Sequence, residues 1–397
     1  MTRASTGGLL SWWALSAALA AAETPKPATC LIQPDKTAAV KAVEGRAVYC
    51  GLDLGSKTVK LSVVSLEPAN DATVRDERQC KRTLGMGALV FDSTTGTARA
   101  LPDDAIGHLV ETIREYQKIC TQDGGVVAAA GATQWARDAT NITDVQARVK
   151  TETGLLFEVL TPEQEAEYGY VAAAANTPGR LVLDPGSNSF EIAWQETGSP
   201  IIRSILIKYG YVRGAVNDIE PAADYAAGRG QYQAKARAQM EDELGKLTPP
   251  MSLARLRQLV ADKKIGPELV ALGQDGAVHL SVRGLLRSGA GAWIAEPDAY
   301  AEALRKQTLT VDPAFGILTA DPIRPADVTA YLDGIRPADF KLLTSEPARS
   351  LYGQKALVVP ALVDLLFREL AATRLVMVPQ ETTTGHILAK RPRSTTR

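Results

Sequence analysis

Residues 181–192 read LVLDPGSNSFEI, and they indicate the fold because they repeat an arrangement found earlier in the chain. In the earlier copy, an apolar run from Ala47 to Leu52 leads into Asp53-Leu54-Gly55-Ser56. Residues 59–66 then alternate apolar and polar side chains, as a half-buried strand does. The chain therefore contains two copies of a strand, an Asp-x-Gly-Ser turn and a second strand.

Each turn has the chemistry of a phosphate-binding loop. Glycine lets the backbone approach a ligand closely, and consecutive N–H groups in such a turn form an anion-binding nest. Asp53 and Asp184 end the preceding strands, where a phosphate-bound Mg²⁺ would be held. A single D-x-G turn is weak evidence, since many hairpins contain one. Two copies predict that a phosphate chain and its metal are held from both sides.

Strands and helices alternate along most of the chain, which predicts an α/β fold. Apolar residues in 104–120 recur at helical spacing, and Gly124-Gly125 then separate this helix from a strand at 126–130. Further helices are predicted at 144–153, 218–262 and 358–372, further strands at 157–160, 181–183, 190–194, 269–272 and 375–378, and a last segment at 382–390.

Composition limits the possible partners. The chain has 397 residues, of which 45% are hydrophobic, enough for two packed cores. Its formal net charge of −1 gives no global basic field to attract a nucleic-acid duplex or an anionic membrane. A polyanionic ligand must therefore be bound by a local site.

The N-terminus is predicted to be a signal peptide, residues 1–22. Arg3 precedes an apolar run from Leu9 to Leu19, and three alanines, residues 20–22, then provide small side chains for cleavage. We expect a periplasmic or secreted protein with no membrane attachment after cleavage; an uncleaved anchor is the alternative. Residues 23–46 are predicted to be an N-terminal extension.

The four cysteines lack the CxxC spacing of zinc or redox sites, and in an exported protein they predict disulfides. Three pairings are possible. Cys50 opens a strand and Cys120 closes the helix that feeds the neighbouring strand, which favours Cys50–Cys120 with Cys30–Cys80. Four buried free thiols remain the alternative.

Five motifs resemble, in order and spacing, those of the exopolyphosphatase / guanosine pentaphosphate phosphohydrolase (Ppx/GppA) family. Residues 51–58 are similar to its first phosphate loop (DLGSNS), and residues 181–192 to its second (VIDIGGGSTEL). The others are residues 132–141 (GTxxLRxAxN), 158–166 (EVISGxEEA) and 272–276 (GASGT), followed by a tail pattern over 359–388. The resemblance extends from about residue 49 to residue 390.

The resemblance implies two actin-like (ribonuclease H-like) lobes, each with a mixed sheet, and an active-site cleft between them. Lobe I is expected to comprise residues 47–162, with 379–397 as a candidate addition, and lobe II residues 163–378. Related proteins are often dimers, so a homodimer is also expected.

The resemblance also assigns roles by position. Glu165 matches the carboxylate that activates water, Arg137 the phosphate-binding arginine, Asp184 the metal-linked aspartate, and Glu191 the glutamate ending the second loop. The expected metal ligands for Mg²⁺ or Mn²⁺ are Asp184, Asp53 and Glu191, and the expected substrate-binding residues are Gly55, Ser56, Lys57, Thr58, Gly186, Ser187, Asn188 and Ser189.

Both catalytic assignments have a structural alternative. Glu165 lies in an acidic run with Glu163 and Glu167, and acidic residues in a first helical turn are stabilised by the helix dipole. Arg137 is a neighbour of Asp138, and such a pair would be an ordinary surface ion pair.

The chain departs from the family in both loops. Residues 186–189 read GSNS where GGGS is usual, Pro185 removes a backbone N–H, and Lys57 replaces asparagine. The predicted function is release of terminal phosphate from inorganic polyphosphate or a polyphosphorylated guanosine nucleotide. The altered second loop keeps open a catalytically weak polyphosphate-binding or sensing protein. An actin-like kinase is a further alternative, because actin-like sugar kinases share the layout with two phosphate loops. The three histidines are too far apart for a metal site, and His386 is predicted to be structural.

Overall fold

The computed structural model describes residues 29–32, 46–67, 70–92, 97–174, 179–186, 189–272, 323–345, 353–378 and 380–391. The strands are β1 (Thr29–Ile32), β2 (Ala47–Leu54), β3 (Thr58–Glu67), β4 (Asn70–Thr83), β5 (Phe91–Asp92), β6 (Thr97–Ala98), β7 (Val126–Ala132), β8 (Glu158–Val159), β9 (Leu181–Pro185), β10 (Phe190–Gln195), β11 (Ile202–Ile207), β12 (Glu268–Leu272) and β13 (Arg374–Val378). The helices are α1 (Met86–Val90), α2 (Asp103–Gln122), α3 (Gln134–Asp138), α4 (Ile142–Thr153), α5 (Pro162–Ala174), α6 (Tyr211–Gly214), a π-helix (Ala215–Ile219), α7 (Tyr225–Gly245), α8 (Leu253–Ala261), α9 (Pro325–Asp333), α10 (Pro337–Leu343), α11 (Gln354–Leu370) and α12 (Thr382–Lys390).

The two main sheets have the same topology. Sheet I has the strand order β1-β4-β3-β2-β7-β8, and sheet II has the order β11-β10-β9-β12-β13. In both, an antiparallel hairpin carries the Asp-x-Gly-Ser turn, a third strand pairs antiparallel with it, and two parallel strands complete the sheet. β1 is an additional edge strand on sheet I. The duplication predicted from the two motifs is therefore present in the fold.

The central strand of each sheet positions an aspartate. β2 is hydrogen-bonded to β3 on one side and to β7 on the other, and β9 lies likewise between β10 and β12. Strands paired on both sides and covered on both faces need apolar side chains, which explains the runs before each turn. Asp53 and Asp184 lie at the carboxyl ends of these strands, the edge at which α/β proteins bind ligands.

Each sheet has its own hydrophobic core. Sheet I packs against the stripe of α2 predicted from helical spacing, which includes Ile106, Leu109 and Ile113. Sheet II packs on one face against α7, α8 and α11, and on its other face against α5 through Ala166, Tyr170 and Ala173.

Helices α5 and α12 meet between the sheets. A Cβ at Gly385 of α12 would lie 1.7 Å from the carbonyl oxygen of Tyr168, so the contact requires glycine there. His386 stacks on the Tyr168 ring with centroids 4.5 Å apart, and burial lowers its pKa to about 4. On its other side α12 packs against β2, where a Cβ at Gly51 would lie 2.7 Å from Thr383. The first residues of α12 are thereby fixed beside both Asp-x-Gly-Ser turns.

Most predicted elements are confirmed, one of them is divided differently, and several observed elements were not predicted, among them β1, β4, β11, α9 and α10. The segment predicted as helical over 218–262 is a π-helix and two α-helices, α7 and α8, separated at residues 246–252. β4 was not predicted, because its sequence NDATVRDERQCKRT is too polar to show strand alternation. β1 lies within residues 23–46, where no element was predicted.

Cys50 and Cys120 form the predicted disulfide, which connects β2 to the end of α2. Cys80 is also disulfide-bonded, and Cys30 is its Cα partner in the β1–β4 ladder. The side chain of Cys30 and the predicted signal peptide, residues 1–22, lie outside the described part of the structure. None of the described helices combines the length and apolarity needed to cross a bilayer.

Candidate active site

The two turns require glycine for the same physical reason. A Cβ at Gly55 would lie 2.7 Å from the carbonyl oxygen of Thr58, and a Cβ at Gly186 would lie 2.5 Å from that of Ser189. Both distances are shorter than a carbon and an oxygen can approach, so any larger residue would open the turn. The glycines predicted to allow close approach of a ligand are thus also needed to close each turn on itself.

The first turn is held firmly from several directions. The N–H of Gly55 donates to the carbonyl oxygen of Thr58 at 3.1 Å, and the carbonyl oxygen of Lys57 accepts from Leu84 N at 3.1 Å. Ser56 Oγ accepts from the backbone N–H of Trp135 at 3.2 Å. This last bond links the turn to α3, the short helix that carries Arg137.

Both turns border a single cleft of about 340 Å³. Residues of sheet I, sheet II, α5, α11 and α12 line it, so the cleft lies between the two halves of the fold. Ser187 and Asn188, two predicted substrate-binding residues, lie outside the described residues. The predicted site residues that line the cleft are Asp53, Gly55, Ser56, Lys57, Thr58, Glu165, Asp184 and Gly186.

Glu165 is held in the cleft by Arg137. Arg137 Nη1 lies 2.7 Å from Glu165 Oε2, and the guanidinium also donates to the carbonyl oxygen of Leu160 and, at 3.0 Å, to Gln134 Oε1. Burial raises the pKa of Glu165 from its ordinary 4.5 to about 7, although Arg137 opposes the shift. Asp53 and Asp184 raise it further by repulsion. A carboxyl group with this pKa can accept a proton near neutral pH.

Asp184 and Glu191 face each other across the β9–β10 hairpin, where they are directly paired in register. Asp184 Oδ2 accepts a hydrogen bond of 2.6 Å from Thr382 Oγ1, at the start of α12. Glu191 Oε1 accepts one of 2.9 Å from Ser189 Oγ. Burial, with repulsion from Asp184 and Glu165, raises the pKa of Glu191 well above its ordinary value.

Asp53 belongs to a network of charges that reaches α12. Lys60 Nζ lies 3.5 Å from Asp53 Oδ2 and 3.2 Å from Glu381 Oε2, and Lys81 Nζ lies 3.5 Å from Glu381 Oε1. Burial raises the pKa of Asp53 to about 6 despite the nearby Lys60. Repulsion from Glu381 and Asp184 adds to that rise.

Asp53, Asp184 and Glu191 are the acidic side chains that could hold a divalent cation at this site. Among the described residues, no three acidic, histidine or cysteine side chains form a ready-made metal cage. Asp53, Asp184 and Glu191 nevertheless lie close enough for repulsion to raise the pKa of two of them. A cation would relieve this excess of negative charge, and Mg²⁺ commonly takes only one or two protein carboxylates, with phosphate oxygens and water as its other ligands.

Several residues of the cleft could not be assigned from the sequence. Lys60, Glu381 and Thr382 line it, as do Tyr211 and Lys355 on the side of sheet II. Of these residues, Lys60 could have been predicted as a cleft residue from the sequence, because strand alternation places it on the same face of β3 as Thr58. Glu381 and Thr382 come from a segment about 200 residues beyond Asp184, and only the packing of α12 brings them to the cleft.

Comparisons with known proteins agree with this architecture. Residues 79–215 match the model of the Ppx/GppA phosphatase family. Exopolyphosphatase 1 of Mycobacterium tuberculosis is 33% identical over 146 residues, which are 36% of this chain and 40% of that protein. Exopolyphosphatase 1 of Mycobacterium leprae is 34% identical over 146 residues, 36% of this chain and 41% of that protein. The chain thus spans about two fifths of the length of these relatives.

Solved structures establish the fold. The Ppx/GppA enzyme of Aquifex aeolicus superposes with a TM-score of 0.59 at 18% identity, covering 87% of this chain and 99% of that one. An exopolyphosphatase-like protein superposes with a TM-score of 0.58 at 15% identity, covering 87% and 98%. The predicted α/β fold with two actin-like lobes is confirmed, and so is the predicted resemblance to the Ppx/GppA family.

Proposed function

We propose that this protein is a phosphohydrolase that releases terminal phosphate from inorganic polyphosphate or from a polyphosphorylated guanosine nucleotide. The observation that carries the proposal is that two glycine turns from separate sheets line one cleft together with Glu165. The mycobacterial relatives are named exopolyphosphatases, which supports polyphosphate as the substrate class.

In the proposed reaction, Glu165 accepts a proton from the attacking water. The water oxygen forms a bond to the terminal phosphorus, and the phosphoanhydride bond to the rest of the chain breaks. A pKa of about 7 suits this role, since a general base is most effective when its pKa lies near the working pH. Arg137 holds the carboxylate in one orientation through its bond of 2.7 Å to Oε2.

The turns supply the binding energy and the orientation that phosphoryl transfer needs. Because this chemistry depends mainly on positioning and charge neutralisation, backbone N–H groups and a nearby cation are suitable partners for the phosphate oxygens. Gly55, Ser56, Lys57 and Thr58 of the first turn and Gly186 of the second line the cleft. Ser189 is not among the lining residues and donates to Glu191, and Ser187 and Asn188 complete the sequence motif.

Asp184, Asp53 and Glu191 are the proposed holders of Mg²⁺ or Mn²⁺. A bound divalent cation would neutralise charge on the phosphate oxygens and so lower the barrier to attack. Thr382 supports this role by orienting the Asp184 carboxylate through a hydrogen bond of 2.6 Å.

A polyphosphate-binding protein with weak turnover is the second candidate. Pro185 lines the cleft and has no backbone N–H, so the second turn has fewer donors for a developing charge than a glycine-rich loop. Tight binding of polyphosphate in calorimetry, with no phosphate release in any divalent metal, would favour this candidate over the enzyme.

The site of action is proposed to be outside the cytoplasm, on the basis of the apolar N-terminal segment. N-terminal sequencing of the protein from a native-like host tests this, and an N-terminus near Glu23 is expected. Light scattering of the same sample tests the homodimer that the family resemblance suggests.

The function is tested by a panel of substrates. Phosphate release is measured from polyphosphates of several lengths and from guanosine penta- and triphosphates, each with Mg²⁺, Mn²⁺ or EDTA. We expect release from at least one class in the presence of metal and loss of it in EDTA. Absence of release from every substrate under every condition contradicts the enzyme proposal.

A further inference from the structure

Three charged side chains form a row across sheet I at the edge of the cleft. Lys60 of β3 is the direct register partner of Asp53 on β2 and of Lys81 on β4. Residues directly opposite each other on neighbouring strands project from the same face of a sheet, so the aspartate and the two lysines are neighbours on one face. The reaction described above uses Asp53 but neither lysine.

Glu381 compensates the charge of the two lysines. Like charges directly opposite each other on adjacent strands repel, so Lys60 and Lys81 need an anion between them. Glu381, the residue before α12, places Oε2 3.2 Å from Lys60 Nζ and Oε1 3.5 Å from Lys81 Nζ. Its carboxylate is only 5% exposed, and a carboxylate that is buried to this extent requires such cations in turn.

Lys60 is shared between two carboxylates. Its Nζ lies 3.5 Å from Asp53 Oδ2, slightly farther than from Glu381 Oε2, and all three residues line the cleft. The ammonium group also opposes the rise that burial causes in the pKa of Asp53. Without a metal ion, Lys60 is therefore a counter-cation of Asp53, which is one of the proposed metal ligands.

A divalent cation on Asp53 would meet this ammonium group as a like charge. Charges this close interact strongly at the effective dielectric constant of a protein site. Glu381 is already the nearer carboxylate, so Lys60 can leave Asp53 and keep an ion pair. The row thus contains both a competitor for the metal ion and a second partner that can hold that competitor.

We infer that Lys60 competes with the divalent cation for Asp53, and that Glu381 holds Lys60 when the cation is bound. The inference rests on the metal site of the proposed function and adds to it a residue pair that sets the metal affinity. Lys60 weakens metal binding in this arrangement, and Glu381 strengthens it by drawing the ammonium group away from Asp53.

The test is the dissociation constant of Mn²⁺, measured without substrate from the EPR signal of free Mn²⁺. The binding event that is lost in Asp53→Asn is the one compared among the unaltered protein, Lys60→Met, Lys60→Arg and Lys390→Met. Lys390→Met is the matched control, because Lys390 pairs with Glu158 at 2.7 Å and is not among the residues that line the cleft. We expect Lys60→Met to tighten Mn²⁺ binding about tenfold, and the other two lysine variants to change it no more than about twofold.

Glu381→Gln tests the second half of the inference. The change removes the alternative partner of Lys60, so Mn²⁺ binding should weaken about tenfold. In the Lys60→Met background, the same change should weaken binding by no more than about twofold, because no ammonium group is then left to return to Asp53.

Unchanged or weaker Mn²⁺ binding in Lys60→Met, or equal tightening in Lys390→Met, would overturn the competition. Equal effects of Glu381→Gln with and without Lys60 would also overturn it, as would absence of Mn²⁺ binding from every variant. Phosphate release decides the proposed function separately. A protein that shows the expected Mn²⁺ affinities but hydrolyses no substrate would retain the competition and lose the enzyme proposal.

Discussion

Arg137 Nη1 lies 2.7 Å from Glu165 Oε2, in an ion pair between α3 and α5. The same guanidinium also donates to the carbonyl oxygen of Leu160 and to Gln134 Oε1. Three acceptors from three positions fix its orientation. Arg137 thus positions the proposed base, in addition to any contact that it makes with phosphate.

Two substitutions separate these roles of Arg137. Arg137→Gln removes the charge that lowers the pKa of Glu165, so we expect the acidic limb of the pH–rate profile to move upward by roughly 1–3 pH units. Arg137→Lys keeps the charge but loses the forked hydrogen bonds, so kcat should fall while the limb moves little. An unchanged limb in both variants, with only KM raised, would assign Arg137 to phosphate binding alone.

Stability of the metal-free protein should depend on pH because of the same carboxylates. The folded state raises the pKa of Glu165 from 4.5 to about 7 and that of Asp53 from 3.8 to about 6, so it binds more protons than the unfolded chain between these values. The free energy of unfolding contributed by these groups is therefore present at low pH and is lost as pH rises through about 6 to 7.

Thermal unfolding in EDTA at a series of pH values measures this effect. The quantity compared is the change in stability with pH in the unaltered protein and in Glu165→Gln. The comparison of two proteins is needed because His386 also makes stability depend on pH. Its pKa is lowered to about 4, so its contribution to stability decreases as pH falls below its ordinary pKa of 6.5, and this contribution is the same in both proteins. We expect the unaltered protein to lose more stability than the variant between about pH 5 and pH 8, and Mg²⁺ to restore most of it at pH 8. A parallel pH dependence in the two proteins would show that Glu165 titrates normally.

Thr382 is predicted to control metal affinity through Asp184. Thr382→Val removes the 2.6 Å hydrogen bond that orients the Asp184 carboxylate, and loss of such an indirect contact typically weakens metal binding about 10- to 100-fold. Metal affinity is measured as the Mg²⁺ concentration that gives half-maximal phosphate release. Thr382→Ser retains the hydroxyl group and should retain the affinity; an equal loss in both variants would point to packing instead.

The Cys50–Cys120 disulfide is expected to make a large contribution to stability. It closes a loop with a sequence separation of 70, which corresponds to about 4 kcal/mol in the chain-entropy description. Urea unfolding of the double variant Cys50→Ala/Cys120→Ala should show a loss of this order. A change of less than about 1 kcal/mol would mean that the loop is constrained in the unfolded chain without the bond.

The sequence was sufficient to predict the elements that are defined by local pattern. The strand alternation around Asp53 and Asp184 and the glycine of each turn are local features, and together they predicted the duplicated hairpin. The helical stripe of α2 was likewise visible from the spacing of its apolar residues.

Partners that are distant in the sequence could not be predicted. Thr382 binds Asp184 across 198 residues, and Glu381 pairs with Lys60 and Lys81 only because α12 packs between the sheets. β4 was missed because most of its residues are charged or polar, and a strand with few apolar residues has a weak periodic signal.

The proposed role of Glu165 is to activate water in the cleft between the two turns. It is tested by phosphate release from long-chain polyphosphate with Mg²⁺, measured for the unaltered protein, Glu165→Gln and Glu163→Gln. Glu163 is an exposed glutamate on the same turn of α5, so its variant is the matched control. We predict a fall of roughly 10²–10⁴-fold in kcat for Glu165→Gln and no more than about a twofold change for Glu163→Gln. Full activity in Glu165→Gln, with the fold intact, would show that Glu165 is not the base that activates water.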